Sequence, residues 1–281
     1  MTDAPRRIVC LTEETTEVLY LLGEDSRIVG VSGFTARPPE ARSKPKVSAF
    51  TSAKYDRIME LEPDLVIGFS NLQAEIAREL IQRGVNVLVF NQRSVEEILA
   101  MILTLSRLVG AESRGQTLLE RLRGEVDAIE RSARRLPHRP RVFFEEWNDP
   151  LISGIRWCSE LIEVVGGDDV CVESRRHAEA KGRIYDPAEV ARRDPEVVIA
   201  SWCGRKASRE KIRARPGWSE VTAVREDQLY EIKSSLILQP GPAALSDGVD
   251  ELAEIVAVVA RGEKLDAPGE GEMRRATRRS G

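Results

Sequence analysis

Six aromatic residues stand where apolar, strand-like runs give way to loops: Phe34, Phe50 and Phe69 in the first half, Trp147, Trp157 and Trp202 in the second. Flat, apolar side chains of low conformational entropy clamp bulky ligands well, with a few polar groups setting the orientation. Aromatic residues make up only 5% of the chain, so their placement is informative. Glu145, Glu146 and Arg156 supply polar groups nearby. Successive residues of a strand face opposite sides, so one of the two glutamates faces the ligand while the other pairs with Arg156 or a neighbour. Trp218, after Pro216-Gly217, reads as a packing residue.

Other chemistries are poorly provided for. A metal centre needs converging His, Cys or carboxylate ligands. The only two histidines, His138 between prolines and His177 in a charged loop, are not placed to converge, and no metal site is expected. No phosphate loop, nucleophile elbow or glycine fingerprint follows a strand. Cys203 follows a strand, but no histidine stands in a comparable position to activate it. The cysteines Cys10, Cys158, Cys171 and Cys203 lack C-x-x-C spacing and read as reduced thiols. A net charge of −4 argues against a broad nucleic-acid surface. No apolar run reaches the roughly 18 residues needed to span a membrane. The N-terminus lacks a secretory signal, so a cytoplasmic location is expected for the chain as written.

The elements that must position these residues alternate between strand and helix. Strands are expected over 6–11, 27–31, 64–69 and 85–90. Helices are expected from Thr12 or Thr15 to Gly23, over 54–61 and 72–83, and from a capping box at Ser94 and Glu97. Such an order points to parallel βαβ units, whose ligands sit beyond the carboxyl ends of the strands. The loops after Leu11, Val31, Phe69 and Phe90 are therefore the ones to watch. Residues 111–136, rich in Leu, Arg, Glu and Ala and ended by Pro137, form one long helix of roughly 39 Å. The alternation then restarts, with strands at 141–144, 197–200 and 229–232 and helices over 159–165, 186–193 and 243–261. The expected organisation is an α/β lobe over 1–110, a bridging helix over 111–137, a second α/β lobe over 138–262 and a disordered tail over 263–281. Arg274, Arg275, Arg278 and Arg279 fall in that tail and read as solvated.

Several strings resemble one family. Arg6-Arg7-Ile8-Val9-Cys10-Leu11 with Thr15-Thr16-Glu17, Val29-Gly30-Val31-Ser32 before Pro38-Pro39, Ile58 through Glu62-Pro63-Asp64-Leu65-Val66-Ile67, Ser153-Gly154 and Gly166-Gly167-Asp168 look like the class III substrate-binding proteins of ABC importers, specifically the cobalamin-binding branch. The resemblance covers residues 6–262. It implies two Rossmann-like lobes joined by a single long helix, with ligand between them. It places Phe34, Phe50 and Phe69 at the positions that line the corrin ring. In the second lobe its aromatic positions fall on Leu151 and near Gly182, and an Asp and an Arg that reach the ligand correspond to Ser235 and Gln239. Trp147, Trp157 and Trp202 are then the candidates for a rebuilt second wall. The acidic residues that dock such proteins onto a permease correspond to Asp56 and a position beside Glu189.

The expectation is a non-catalytic, monomeric clamshell protein for a corrinoid, cobalamin-like, or similarly bulky ligand, with no required cofactor. Glu145 or Glu146, Arg156 and Gln239 would orient the ligand. One alternative is a corrinoid-handling or small-molecule enzyme on the same scaffold, with Glu145 or Glu146 as acid–base group and Cys203 as nucleophile or cobalt ligand. The other is an ABC-importer component whose true start lies upstream, which would be periplasmic or at the cell surface.

Overall fold

Ile8, Val9 and Cys10 form the central strand of the first of two sheets and are fully buried. A continuous apolar run of this kind suits a parallel strand covered on both faces. The computed structural model describes residues 4–266 and 273–276. It divides into two units: one contains residues up to Gln92, Glu96–Leu122 and Pro240–Pro242, the other Arg93–Val95, Arg123–Gln239 and the chain from Ala243.

In the first unit the strands are β1 (Ile8–Cys10), β2 (Ile28–Ser32), β3 (Lys46–Ala49), β4 (Ser52–Ala53), β5 (Leu65–Phe69) and β6 (Val87–Phe90). They lie in the order β4-β3-β2-β1-β5-β6. All neighbours are parallel except β3 and β4, which form an antiparallel pair over residues to which the sequence assigned no element. The helices are α1 (Glu13–Leu21), α2 (Tyr55–Glu60), α3 (Ala74–Gln82), α4 (Val95–Leu108) and α5 (Glu112–Ala133). Gly23, at φ +68°, ends the turn after α1, as a glycine at a helix C-terminus does. The long central helix is α5; its residues through Leu122 belong to the first unit and those from Arg123 to the second.

The second unit is built on β7 (Arg141–Trp147), β8 (Ile152–Ser153), β9 (Asp168–Asp169), β10 (Val197–Ala200) and β11 (Leu229–Glu231). The order is β11-β10-β7-β8, with β9 paired to β7. Strands β11, β10 and β7 run parallel. Its helices are α6 (Arg156–Val164), α7 (Pro187–Arg192), α8 (Arg209–Arg213), α9 (Thr222–Arg225), α10 (Ser234–Ile237) and α11 (Asp247–Ala260). Trp218 is a packing residue: it is fully buried, its ring meets Phe143 edge-on at 6.1 Å, and its indole N–H donates to the Pro187 carbonyl at 2.9 Å.

The C-terminal stretch corrects the expectation of a wholly disordered tail. Residues 273–276 run parallel along β11, with the Glu231 N–H donating to the Arg274 carbonyl at 2.8 Å. Met273 is 1% exposed and joins the core cluster. Arg274 pairs with Asp227 at 2.9 Å, and Arg275 Nε donates to Glu231 at 3.0 Å. The unpaired edge of β11 and its acidic neighbours give the arginines a partner that composition could not reveal. Residues 267–272 and 277–281, with Arg278 and Arg279, lie outside the described residues. Burying a methionine contributes about 2 kcal/mol, and about 2–4 °C of Tm accompanies each kcal/mol in a chain of this size. Truncation before Met273 should therefore lower Tm by about 5 °C in a thermal melt.

Candidate functional site

Because β2, β1, β5 and β6 run parallel, their carboxyl ends share one edge of the first sheet, and three phenylalanines lie at or near the strand ends there. Phe34 follows β2, Phe50 follows β3, and Phe69 ends β5. The rings of Phe50 and Phe69 lie 6.4 Å apart and tilted by 45°. Phe34 is 58% exposed and Leu72, in the turn after β5, is 59% exposed, so two large apolar side chains at this edge meet solvent.

Gln73, which the sequence reading missed, ties this edge together. Its fully buried amide accepts from the Phe69 N–H at 2.9 Å and donates to the Phe50 carbonyl at 2.9 Å. A side chain at Gly68 would bring Cβ within 2.6 Å of the Gln73 amide oxygen, which explains the glycine inside β5. Ser70 completes the turn at φ +76°, a strained value for a residue with a Cβ. Its hydroxyl accepts from the Leu72 N–H at 3.1 Å and its own N–H donates to the Phe90 carbonyl at 2.7 Å.

Beside the aromatics, the first turn of α1 brings carboxylates to the end of β1. Glu13, Glu14 and Glu17 are 7%, 1% and 7% exposed. The helix N-terminus favours negative charge. Glu14 accepts from the Thr12 hydroxyl at 2.6 Å, and Glu17 pairs with Arg37 at 2.9 Å. Burial, reinforced by Glu14 and Glu17, pushes the Glu13 carboxyl up to about 8 against the pull of Arg42 and Lys46. Burial, reinforced by Glu17, pushes Glu14 up to about 7 despite its bond from Thr12.

Carboxyls raised in the folded state bind protons that the unfolded chain has released. Their stabilisation is present below the ordinary carboxylate range and is lost as pH rises through about 7 and 8. Stability measured by urea unfolding should thus fall by at least about 2 kcal/mol between about pH 5 and about pH 8.5, and Glu13→Gln/Glu14→Gln should flatten that slope.

The second unit places its expected site residues differently. Trp157 is 2% exposed, lies near the start of α6 rather than at a strand end, and donates its indole N–H to the Ile237 carbonyl at 2.8 Å. Trp202 is 5% exposed, belongs to the core cluster, and donates to Glu145 at 2.9 Å. Both are packing residues here, not an open wall. Glu145 is fully buried and held bidentate by Arg215 at 2.6 and 2.8 Å. Glu146 pairs with the buried Arg183 at 2.6 Å. Neither glutamate pairs with Arg156, which instead holds Glu160 at 2.7 Å.

Trp147 is half-buried, with the Arg205 guanidinium 5.3 Å from its ring centre. Cys203 is exposed, Gln239 is half-buried, and no cysteine forms a disulfide. Burial pushes the Cys10 and Cys171 thiols up to about 12. Of the expected docking acids, Asp56 is 94% exposed and accepts from Arg83 at 3.0 Å, while Glu189 is paired with Arg193 at 2.5 Å. Among the described residues no group of three or more His, Cys, Asp or Glu side chains could hold a metal ion. No helix of the described residues is long and apolar enough to cross a membrane.

Comparison with known proteins agrees with this architecture. The chain is 28% identical over 243 residues to the vitamin B12-binding protein of Vibrio parahaemolyticus, spanning 85% of this chain and 86% of that one. It is 26% identical over 261 residues to YvrC of Bacillus subtilis, an uncharacterised ABC transporter substrate-binding lipoprotein, spanning 90% of this chain and 80% of that one. The crystal structure of a periplasmic heme-binding protein from Pseudomonas aeruginosa has the same fold, with a TM-score of 0.78 at 21% identity over 99% of this chain and 100% of that one. The periplasmic binding protein family matches residues 8–236. With that span inside the match, and the parallel sheets of the class III fold in both units, the chain belongs to the periplasmic binding proteins, the non-catalytic substrate-binding proteins of ABC transporters.

Proposed function

We propose that this protein binds a corrinoid, cobalamin or a smaller relative such as cobinamide, against the aromatic edge of the first unit. The observation that carries the reading is the set of apolar side chains gathered at one sheet edge: Phe34 and Leu72 exposed, Phe50 tilted against Phe69, and the latter two fixed by Gln73. A broad, flat, hydrophobic macrocycle suits such a surface. The similarity to vitamin B12-binding proteins supports the same choice of ligand. In the second unit, Trp147, Cys203, Arg156 and Gln239 are the accessible members of the expected set. Trp157, Trp202, Glu145 and Glu146 support the unit from within. Delivery to an ABC permease would use the exposed carboxylate of Asp56, with Glu189 as its weaker counterpart because Arg193 already holds it.

Titration with cobinamide and cobalamin, followed by absorbance and calorimetry, tests the reading. Binding tighter than about 100 μM is expected. Truncating an aromatic hot spot costs about 2 kcal/mol or more, so Phe50→Ala and Phe69→Ala should each weaken binding roughly 30-fold. Absence of binding by either corrinoid would overturn the ligand, and unchanged affinity in both variants would overturn the surface.

A further inference from the structure

Buried polar atoms are ordinarily hydrogen-bonded, and leaving one unmade is costly. At the carboxyl edge of the first sheet several such atoms lack a partner, among them one carboxylate oxygen of Glu13, one of Glu14, and the hydroxyls of Thr15 and Thr35. Glu14 and Thr35 are 1% and 5% exposed and come from different segments, the first turn of α1 after β1 and the loop after β2. The β2 loop is tied to α1, because Arg37, two residues beyond Thr35, bonds Glu17 of α1 at 2.9 Å. The nearby cations are engaged elsewhere: Arg42 donates to the Ala36 carbonyl at 3.2 Å and Lys46 to the Ala41 carbonyl at 3.3 Å. On the other side of Glu14 lies Gly241, where a Cβ would come within 2.5 Å of the glutamate Cβ, so main chain and not a compensating side chain packs there.

We infer that Glu13 and Glu14 select ligands whose rim carries neutral N–H donors, the primary amides of a corrin, and reject ligands whose rim carries carboxylates. This rests on the corrinoid reading above and adds to it the chemistry of the ligand's periphery. Amide N–H groups supply the donors that the two carboxyl groups lack. A carboxylated rim brings like charge and more acceptors to the same place. Sites built around buried polar groups discriminate strongly against partners that leave them unpaired. A porphyrin bearing propionates is disfavoured for the same reason, although the fold is shared with heme-binding proteins.

The test compares cobinamide, whose side chains are amides, with cobyrinic acid, whose side chains are carboxylic acids, using the full chain in calorimetry at about pH 8.5, above the range where both glutamates ionise. Wild type should prefer cobinamide by about tenfold or more. Glu14→Gln and Glu13→Gln keep shape and remove charge; each should weaken cobinamide and strengthen cobyrinic acid, shrinking the preference by about tenfold. Equal affinities in wild type, or a preference unchanged in both glutamine variants, would overturn the selection rule while leaving the corrinoid reading in place. Failure of both corrinoids to bind wild type would overturn the reading and this inference together. Unfolding curves of the two variants establish that each is folded before affinity is compared.

Discussion

Arg215→Ala should be among the most destabilising single substitutions in the second unit. Arg215 is bidentate to Glu145, whose side chain has no exposure, and it also donates to Asn148 at 2.8 Å. Its guanidinium lies 4.4 Å from the centre of the Trp218 ring. Removing one member of such a pair leaves a buried charge uncompensated, at a cost of about 3–5 kcal/mol. Arg215→Lys should recover little, because an ammonium cannot reproduce the planar two-point contact or the stacking. Pairing Glu145→Gln with Arg215→Met should recover more than Arg215→Ala alone, since the buried charge is gone and the glutamine oxygen still accepts from Trp202. Urea unfolding of the three variants checks this; equal stability of Arg215→Ala and wild type would show the pair to be dispensable.

Trp157→Ala should cost about as much, about 3–5 kcal/mol, for a different reason: it empties a large volume inside a packed unit. Trp157→Phe keeps most of the volume but leaves the Ile237 carbonyl without its 2.8 Å donor, a loss of about 1–3 kcal/mol. Phe34→Ala is the control. At 58% exposure it should change stability by no more than about 0.5 kcal/mol while affecting ligand affinity. The contrast separates an aromatic that builds the fold from one on the proposed ligand surface. A Trp157→Ala protein as stable as wild type would return Trp157 to the list of surface candidates.

The placement of Trp157 shows how far the sequence can be read. Its position after an expected strand suggested a loop, yet Ile152–Ser153 pairs as the short strand β8, and the chain turns into α6 at Arg156. Two-residue strands such as β4 and β8 have no periodicity to detect, because their existence depends on a neighbour from elsewhere in the chain. The same holds for residues 273–276, whose polar composition reads as solvated until β11 supplies an edge and Asp227 and Glu231 supply counter-ions.

Local signals were sufficient for most of the framework. Apolar runs at 8–10, 28–32, 65–69 and 197–200 are continuous because both faces of a parallel strand are covered. The long helix could be read from its leucine spacing and the prolines after it, and Phe69 from the apolar run that it ends. What the sequence determined by itself is therefore the α/β class, the restart after the long helix, and the carboxyl-edge loops that carry Phe34 and Phe69. Only tertiary structure decided which polar groups remain available there. Glu145 and Glu146 look equally free in sequence, but Arg215 and Arg183, distant in the chain, hold both. Glu13 and Glu14 look like ordinary surface residues of a helix start, but both are buried with an oxygen unpartnered, and Gly241 packs against Glu14. Burial and pairing are properties of long-range contacts, and a carboxylate's chemistry depends on both.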